Sequence, residues 1–143
     1  NVGILRIFNT YGPRLQPSDG RVISNFVSQA LAGEPFTMYG DGLQTRSFCY
    51  VDDLVTGIVA MLDSTEVGPI NLGNPNEFTL LELAEIMAEL CEVPLQISYA
   101  ALPSDDPRMR QPDISRARER LRWEPQIDLR AGLASTISWQ RAQ

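Results

Sequence analysis

The sequence predicts an α/β chain, and three observations carry that prediction. Two runs, at 2–8 and 70–72, are largely apolar apart from Arg6 and Asn71 and read as strands in a parallel sheet covered on both faces. Apolar residues elsewhere recur at helical spacing, as in Val22, Ile23, Phe26, Val27, Ala30 and Leu31. Clusters of glycine, proline and asparagine punctuate these segments, as turns require.

Taken in order, 2–8 reads as a buried strand ending at the turn Asn9-Thr10-Tyr11-Gly12-Pro13. The first helix follows, with Asp19 as its expected cap and Gly33-Glu34-Pro35 as its stop. A short strand is expected at 36–39, then the turn Gly40-Asp41-Gly42 and another strand at 46–51. Asp52 or Asp53 is expected to cap a helix carrying Leu54, Val55, Ile58, Val59 and Leu62. The strand at 70–72 runs into a turn at Gly73. Thr79-Leu80-Leu81-Glu82 has the form of a capping box opening a helix through Leu90. A strand at 95–99 and a proline-bearing loop lead to helices at 114–121 and 129–139, the second capped by Asp128. Two parallel strands are too few for a sheet. Both are therefore expected to belong to a larger one whose remaining strands lie in an N-terminal part outside this sequence.

The chain has 143 residues, of which 43% are hydrophobic, enough for one core. It begins within what reads as a strand, so a piece of a longer protein is expected. No run of about 18 apolar residues is present. Without a basic, apolar leader, a cytoplasmic setting is expected. Cys49 and Cys91 lack CxxC spacing and are expected to be buried free thiols. The absence of histidine and lysine removes the commonest general base and excludes Schiff-base chemistry. The net charge of −6 argues against nucleic acid or a membrane surface as partner. Arginines are nevertheless crowded into 108–122. A small anionic ligand suits that arrangement, and a solvated basic helix face accounts for most of these arginines equally well.

Several blocks resemble the extended short-chain dehydrogenase/reductase group that acts on nucleotide sugars. Arg6-Ile7-Phe8-Asn9-Thr10-Tyr11-Gly12-Pro13-Arg14 is similar to the group's strand and loop beneath the bound sugar. The segment from Phe36 through Gly40-Asp41-Gly42 to Arg46-Ser47-Phe48 resembles its nucleotide-clasping hairpin. Tyr50-Val51-Asp52-Asp53-Leu54 and Asn71-Leu72-Gly73-Asn74 resemble the helix start and the returning strand. Two further blocks, Asp19 to Phe26 and Asp105 to Ile114, resemble the UDP-glucuronate decarboxylases within that group.

The resemblance implies that this chain is the C-terminal substrate-binding portion, with the NAD-binding Rossmann domain absent. It implies a UDP-sugar ligand, NAD as a recycled cofactor and a homodimeric parent. The implied reaction oxidises C4 of UDP-glucuronate, releases C6 as carbon dioxide and reduces C4 again to give UDP-xylose. Two family features are missing here. No strand is followed by the glycine-rich dinucleotide loop, and without lysine there is no Tyr-x-x-x-Lys pair. No catalytic residue is therefore assigned.

By the same resemblance, Arg46 and Arg110 pair with the diphosphate, for which arginine's planar fork is suited. Surface ion pairs are their alternative role. Arg21 and Arg14 are expected near the sugar's carboxylate or hydroxyls, although Arg14 equally suits holding its own loop through carbonyls. Asn9 is expected to bond a sugar hydroxyl or phosphate, or simply to cap its turn. Tyr39 and the backbone of 36–39 flank the uracil, unless Tyr39 is core. Asp113 meets the ribose, caps the helix that follows, or both. Asp105 and Asp106 lack a third ligand for a metal and read as loop chemistry. A nucleotide-sugar 4,6-dehydratase or 4-epimerase, a binding module without turnover, and a ligand-free interaction domain remain the other readings.

Overall fold

The computed structural model describes residues 2–17, 19–101 and 110–143. The expectations on Asp105, Asp106 and Arg108 therefore lie outside the described residues. β1 (Gly3–Ile7) and β6 (Gly68–Leu72) pair in parallel, Leu5 opposite Ile70. The apolar runs at 2–8 and 70–72 thus form neighbouring parallel strands. Only β6 is buried as expected, with Ile70 and Leu72 at 0% exposure. β1 departs from expectation, since Ile4 and Ile7 are 49% and 56% exposed. A parallel strand is covered only when it has neighbours and layers on both faces, and among the described residues β1 pairs with β6 alone.

Three further pairs of short strands follow among the described residues. β2 (Thr10–Tyr11) pairs with β5 (Cys49–Tyr50), and β3 (Phe36–Tyr39) pairs with β8 (Ile97–Ala100), both in parallel. β4 (Thr45–Ser47) pairs antiparallel with β7 (Glu77–Thr79). The single strand expected at 46–51 is in fact two, with different partners, and its last residue begins α2 (Val51–Leu62). β7 had no sequence expectation.

Two cores organise the helices. α1 (Val22–Ala32), α3 (Leu80–Cys91) and α5 (Leu129–Arg141) pack with β3 around Phe26, Phe36, Leu83, Met87 and Leu133. α2 and α4 (Ser115–Leu121) enclose Leu54, Ile70, Leu72, Ala117 and Trp123. Both free thiols are buried as expected.

The caps divide into those met and those displaced. Thr79 and Glu82 form the full capping box, Asp128 accepts from Ala131 N–H at 2.9 Å, and Gly33 ends α1 in the left-handed region at φ 70°. Asp19 is not the N-cap of α1. That position is Arg21, and Asp19 Oδ1 takes the Arg21 N–H and the Ser24 hydroxyl from just outside the helix. Neither Asp52 nor Asp53 caps α2, whose N-cap is Tyr50 without a side-chain bond. Asp53 lies instead inside the first turn, 5% exposed, where its Oδ2 accepts from Ile127 N–H at 2.9 Å.

Candidate functional site

β2, the start of α1, β3 and β4 surround an open cleft of about 240 Å³. Five of the residues singled out from sequence line it: Asn9, Arg21, Tyr39, Arg46 and Arg110. They come from five separate segments. Asn9 sits just after β1, where its carbonyl accepts from Cys49 N–H at 2.8 Å and starts the β2–β5 pair. Arg21 is the residue before α1, and its 68%-exposed side chain reaches Asp19 at 3.6 Å.

Arg46 owes its place to the turn at Gly40 and Gly42, both in the left-handed region at φ 72° and 77°. A Cβ on Gly42 would run into Leu81 and Met38, so the chain reverses tightly and enters β4 facing the cleft. The Arg46 side chain is buried to 8% exposure and its Nη1 donates to Thr45 O at 2.8 Å. Thr45 is itself tied to β7 through Glu77 Oε1 at 2.8 Å. Arg110 is held beside β4 by its carbonyl, which accepts from Ser47 Oγ at 3.1 Å. Gln111 then donates to Pro75 O at 2.8 Å and fixes the chain's direction away from the cleft.

Tyr39 is 43% exposed, which removes the alternative of a core aromatic. Arg14 and Asp113 are not among the cleft's lining residues. Arg14 is exposed with φ 68°, and its side chain bonds no described carbonyl. Asp113 Oδ1 accepts from Ser115 N–H at 2.9 Å and from the Ser115 hydroxyl, but the N-cap of α4 is Ile114, without a side-chain bond, so Asp113 is not the cap expected of it and bonds the helix start from just outside. Those bonds, the hydroxyl's first, hold its carboxyl below the usual range.

Beside Thr10 and Tyr11, three polar lining residues were not among the expected site residues: Asn25, Thr37 and Gln44. The first two had a signal. Asn25 lies one turn after Arg21, on the same face at i and i+4. Thr37 alternates with Phe36 and Met38, which are 1% and 0% exposed, so it must share the outer face with Tyr39. Gln44 had none, because its role comes from a bond to Tyr39 O at 2.7 Å across the turn.

The described lining contains three arginines and no aspartate or glutamate. In a chain of net charge −6, that makes the cleft a local attractor for an anion. Tyr11 also lines it, and burial raises its hydroxyl well above the ordinary range. Burial likewise pushes the adjacent Cys49 thiol up to about 12. Neither is a base at neutral pH. The described arrangement can bind and orient an anion. No cluster of metal-ligating side chains occurs among the described residues, and no helix there is long and apolar enough to cross a membrane.

The model of the NAD dependent epimerase/dehydratase family matches residues 1–73, just over half of the sequence. The chain belongs to that family. UDP-glucuronic acid decarboxylase 1 of Arabidopsis thaliana is 56% identical over 137 residues, covering 96% of this chain and 32% of that protein. UDP-glucose 4-epimerase from Thermotoga maritima, solved with UDP-glucose, matches 98% of this chain at TM-score 0.93 and 30% identity. UDP-glucuronic acid 4-epimerase from Bacillus cereus, solved with UDP-glucuronic acid and NAD, matches 98% at TM-score 0.91 and 29% identity. The chain spans 46% and 45% of those two proteins. The α/β arrangement is thus that of a portion of this family's fold.

Proposed function

We propose that this chain supplies the UDP-sugar-binding surface of an NAD-dependent UDP-glucuronate decarboxylase. The observation that supports it most is the convergence of Arg21, Arg46 and Arg110, far apart in sequence, on one cleft lined by no described carboxylate. A nucleoside diphosphate sugar with a uronic acid carries negative charge on its central diphosphate and on its sugar carboxylate. Arg46 and Arg110 would pair with the diphosphate, and Arg21, at the exposed mouth, with the sugar carboxylate. Asn9 would bond a sugar hydroxyl, with Tyr39 flanking the base. Arg14 would act at most from outside the lining.

NAD is expected from the relatives, and the described residues do not form its cradle. β1 leads into β2, and β6 into the turn before β7, so neither parallel strand opens a helix through a glycine-rich loop. The cofactor and the chemical step would therefore belong to a Rossmann domain outside this chain, which also accounts for the bare face of β1. A homodimeric parent is part of the same proposal.

Arg46→Ala and Arg110→Ala are each expected to weaken UDP binding by about ten- to a hundredfold, the worth of a charge-assisted hydrogen bond. Calorimetric titration measures it. Carbon dioxide release from UDP-glucuronate by the full-length protein with NAD tests the reaction, and its absence would sink the decarboxylase reading. A 4-epimerase is the second reading, favoured by the two epimerase structures superposing at TM-scores above 0.9. A 4-epimerised product without carbon dioxide release, from UDP-glucuronate or UDP-galactose, would select it, and turnover of dTDP-glucose would select a 4,6-dehydratase.

A further inference from the structure

β3 bonds β8 through one edge, where Phe36 N–H reaches Gln96 O at 2.8 Å and, just beyond the strand, Gly40 N–H reaches Ala100 O at 2.9 Å. Thr37 N–H, at the alternate position, turns to the other edge. There Gln29 Oε1, from α1, accepts it at 3.0 Å. A backbone N–H can only donate, so this bond fixes the orientation of the Gln29 amide. Its Nε2 then faces Thr37 Oγ1 at 2.8 Å and must donate to it. Thr37 is thereby the acceptor toward α1, and its own hydroxyl proton has no acceptor among the described residues. Thr37 lines the cleft, whereas Gln29 stands behind it.

We infer that Gln29 is a positioning residue that keeps the Thr37 hydroxyl a hydrogen-bond donor toward a carbonyl oxygen of a bound uracil. The inference rests on the proposal that the cleft takes a UDP-sugar. Thr37 and Tyr39 share the outward face of β3, roughly 7 Å apart along the strand, a spacing suited to a flat base. The phosphates are drawn instead to the arginines. A uracil carbonyl is an acceptor and meets the proton that Gln29 leaves available.

Gln29→Glu isolates the effect. The carboxylate still accepts from Thr37 N–H and has nearly the same shape, but it has no proton to give. The Thr37 hydroxyl then donates to the carboxylate, and its proton is withdrawn from the ligand. Titration of UDP into the wild type, Gln29→Glu, Thr37→Val and Thr37→Ser should show about a tenfold loss in the first two variants, the worth of one neutral hydrogen bond. Thr37→Ser, which keeps the hydroxyl, should stay near the wild type. Inorganic pyrophosphate, which has the phosphates and no base, should compete equally well in all four.

If Gln29→Glu binds UDP as the wild type does, the inference is overturned and the UDP-sugar reading stands. If UDP and pyrophosphate weaken together, the variant has disturbed the whole cleft, and the positioning role is likewise overturned. A wild type that binds neither removes the UDP-sugar reading and this inference with it. Thermal melts monitor folding throughout. Should Thr37→Val not fold, the contrast between Gln29→Glu and Thr37→Ser decides alone.

Discussion

Asp53 shows how much one buried carboxylate organises. Its Oδ2 accepts from Ile127 N–H, and its carbonyl accepts from Trp123 Nε1 at 2.9 Å, so the start of α2 holds the segment between α4 and α5. Asp53→Ala leaves the Ile127 donor without its partner and should destabilise the protein by about 1–3 kcal/mol in denaturant unfolding. Asp53→Asn should cost less, because an amide oxygen still accepts. From sequence, Asp52 and Asp53 before an apolar run read as helix caps, since capping is the local role that residue type suggests. The partner lies 74 residues away, and no local pattern could report it. The thiols, by contrast, were legible from apolar context alone. With burial as the largest influence raising both Cys49 and Cys91, neither should react with a thiol reagent at pH 8 in the native protein. Both should react in denaturant, and fast native labelling of either would contradict the packing.

Helices were more legible than strands, and the reason is length. α1, α3 and α5 repeat their apolar face over three or more turns, so periodicity finds them. β4, β5 and β7 have two or three residues each, too few for alternation to be read. The capping box of α3 was legible because all its parts lie within four residues. Its Thr79 Oγ1 accepts from Glu82 N–H at 3.1 Å, and Glu82 Oε2 accepts from Thr79 N–H at 2.7 Å. Thr79→Ala should cost about 1 kcal/mol. The box also has a pH signature. Bonds from the Thr79 backbone, then its hydroxyl, lower the Glu82 carboxyl. Its contribution is therefore present above the unfolded carboxyl's pKa and is lost as pH falls through the lower folded one. Thr79→Ala keeps the backbone bond to the Glu82 carboxylate and removes only the hydroxyl's. The gap to wild type should therefore narrow modestly on acidification below about pH 4.5, and a constant gap would remove the hydroxyl's bond to the charged carboxylate from the cap's account.

At the scale of the molecule, the sequence pattern and the surface of β1 disagree, and the disagreement is informative. Val2, Ile4 and Ile7 have the composition of a buried parallel strand, yet all three are about half exposed or more. Val55, Val59 and Leu62 of α2 add exposed apolar surface elsewhere on the molecule. Arg46 and Arg110 present the opposite case. Their convergence spans 64 residues of chain, so no periodicity foretold it, and only resemblance to a family brought the two together. Under the proposal that β1 and β6 belong to a larger sheet, charge on β1 has two different consequences. In this chain alone, Ile4→Glu should change unfolding free energy by no more than about 0.5 kcal/mol, as a surface substitution does. In the full-length protein the same carboxylate would be buried without a partner, at a cost of several kcal/mol. Comparing the two unfolding midpoints therefore measures whether the strand is covered. Equal, small shifts in both would leave β1 at the surface and detach the cleft from any neighbouring catalytic domain.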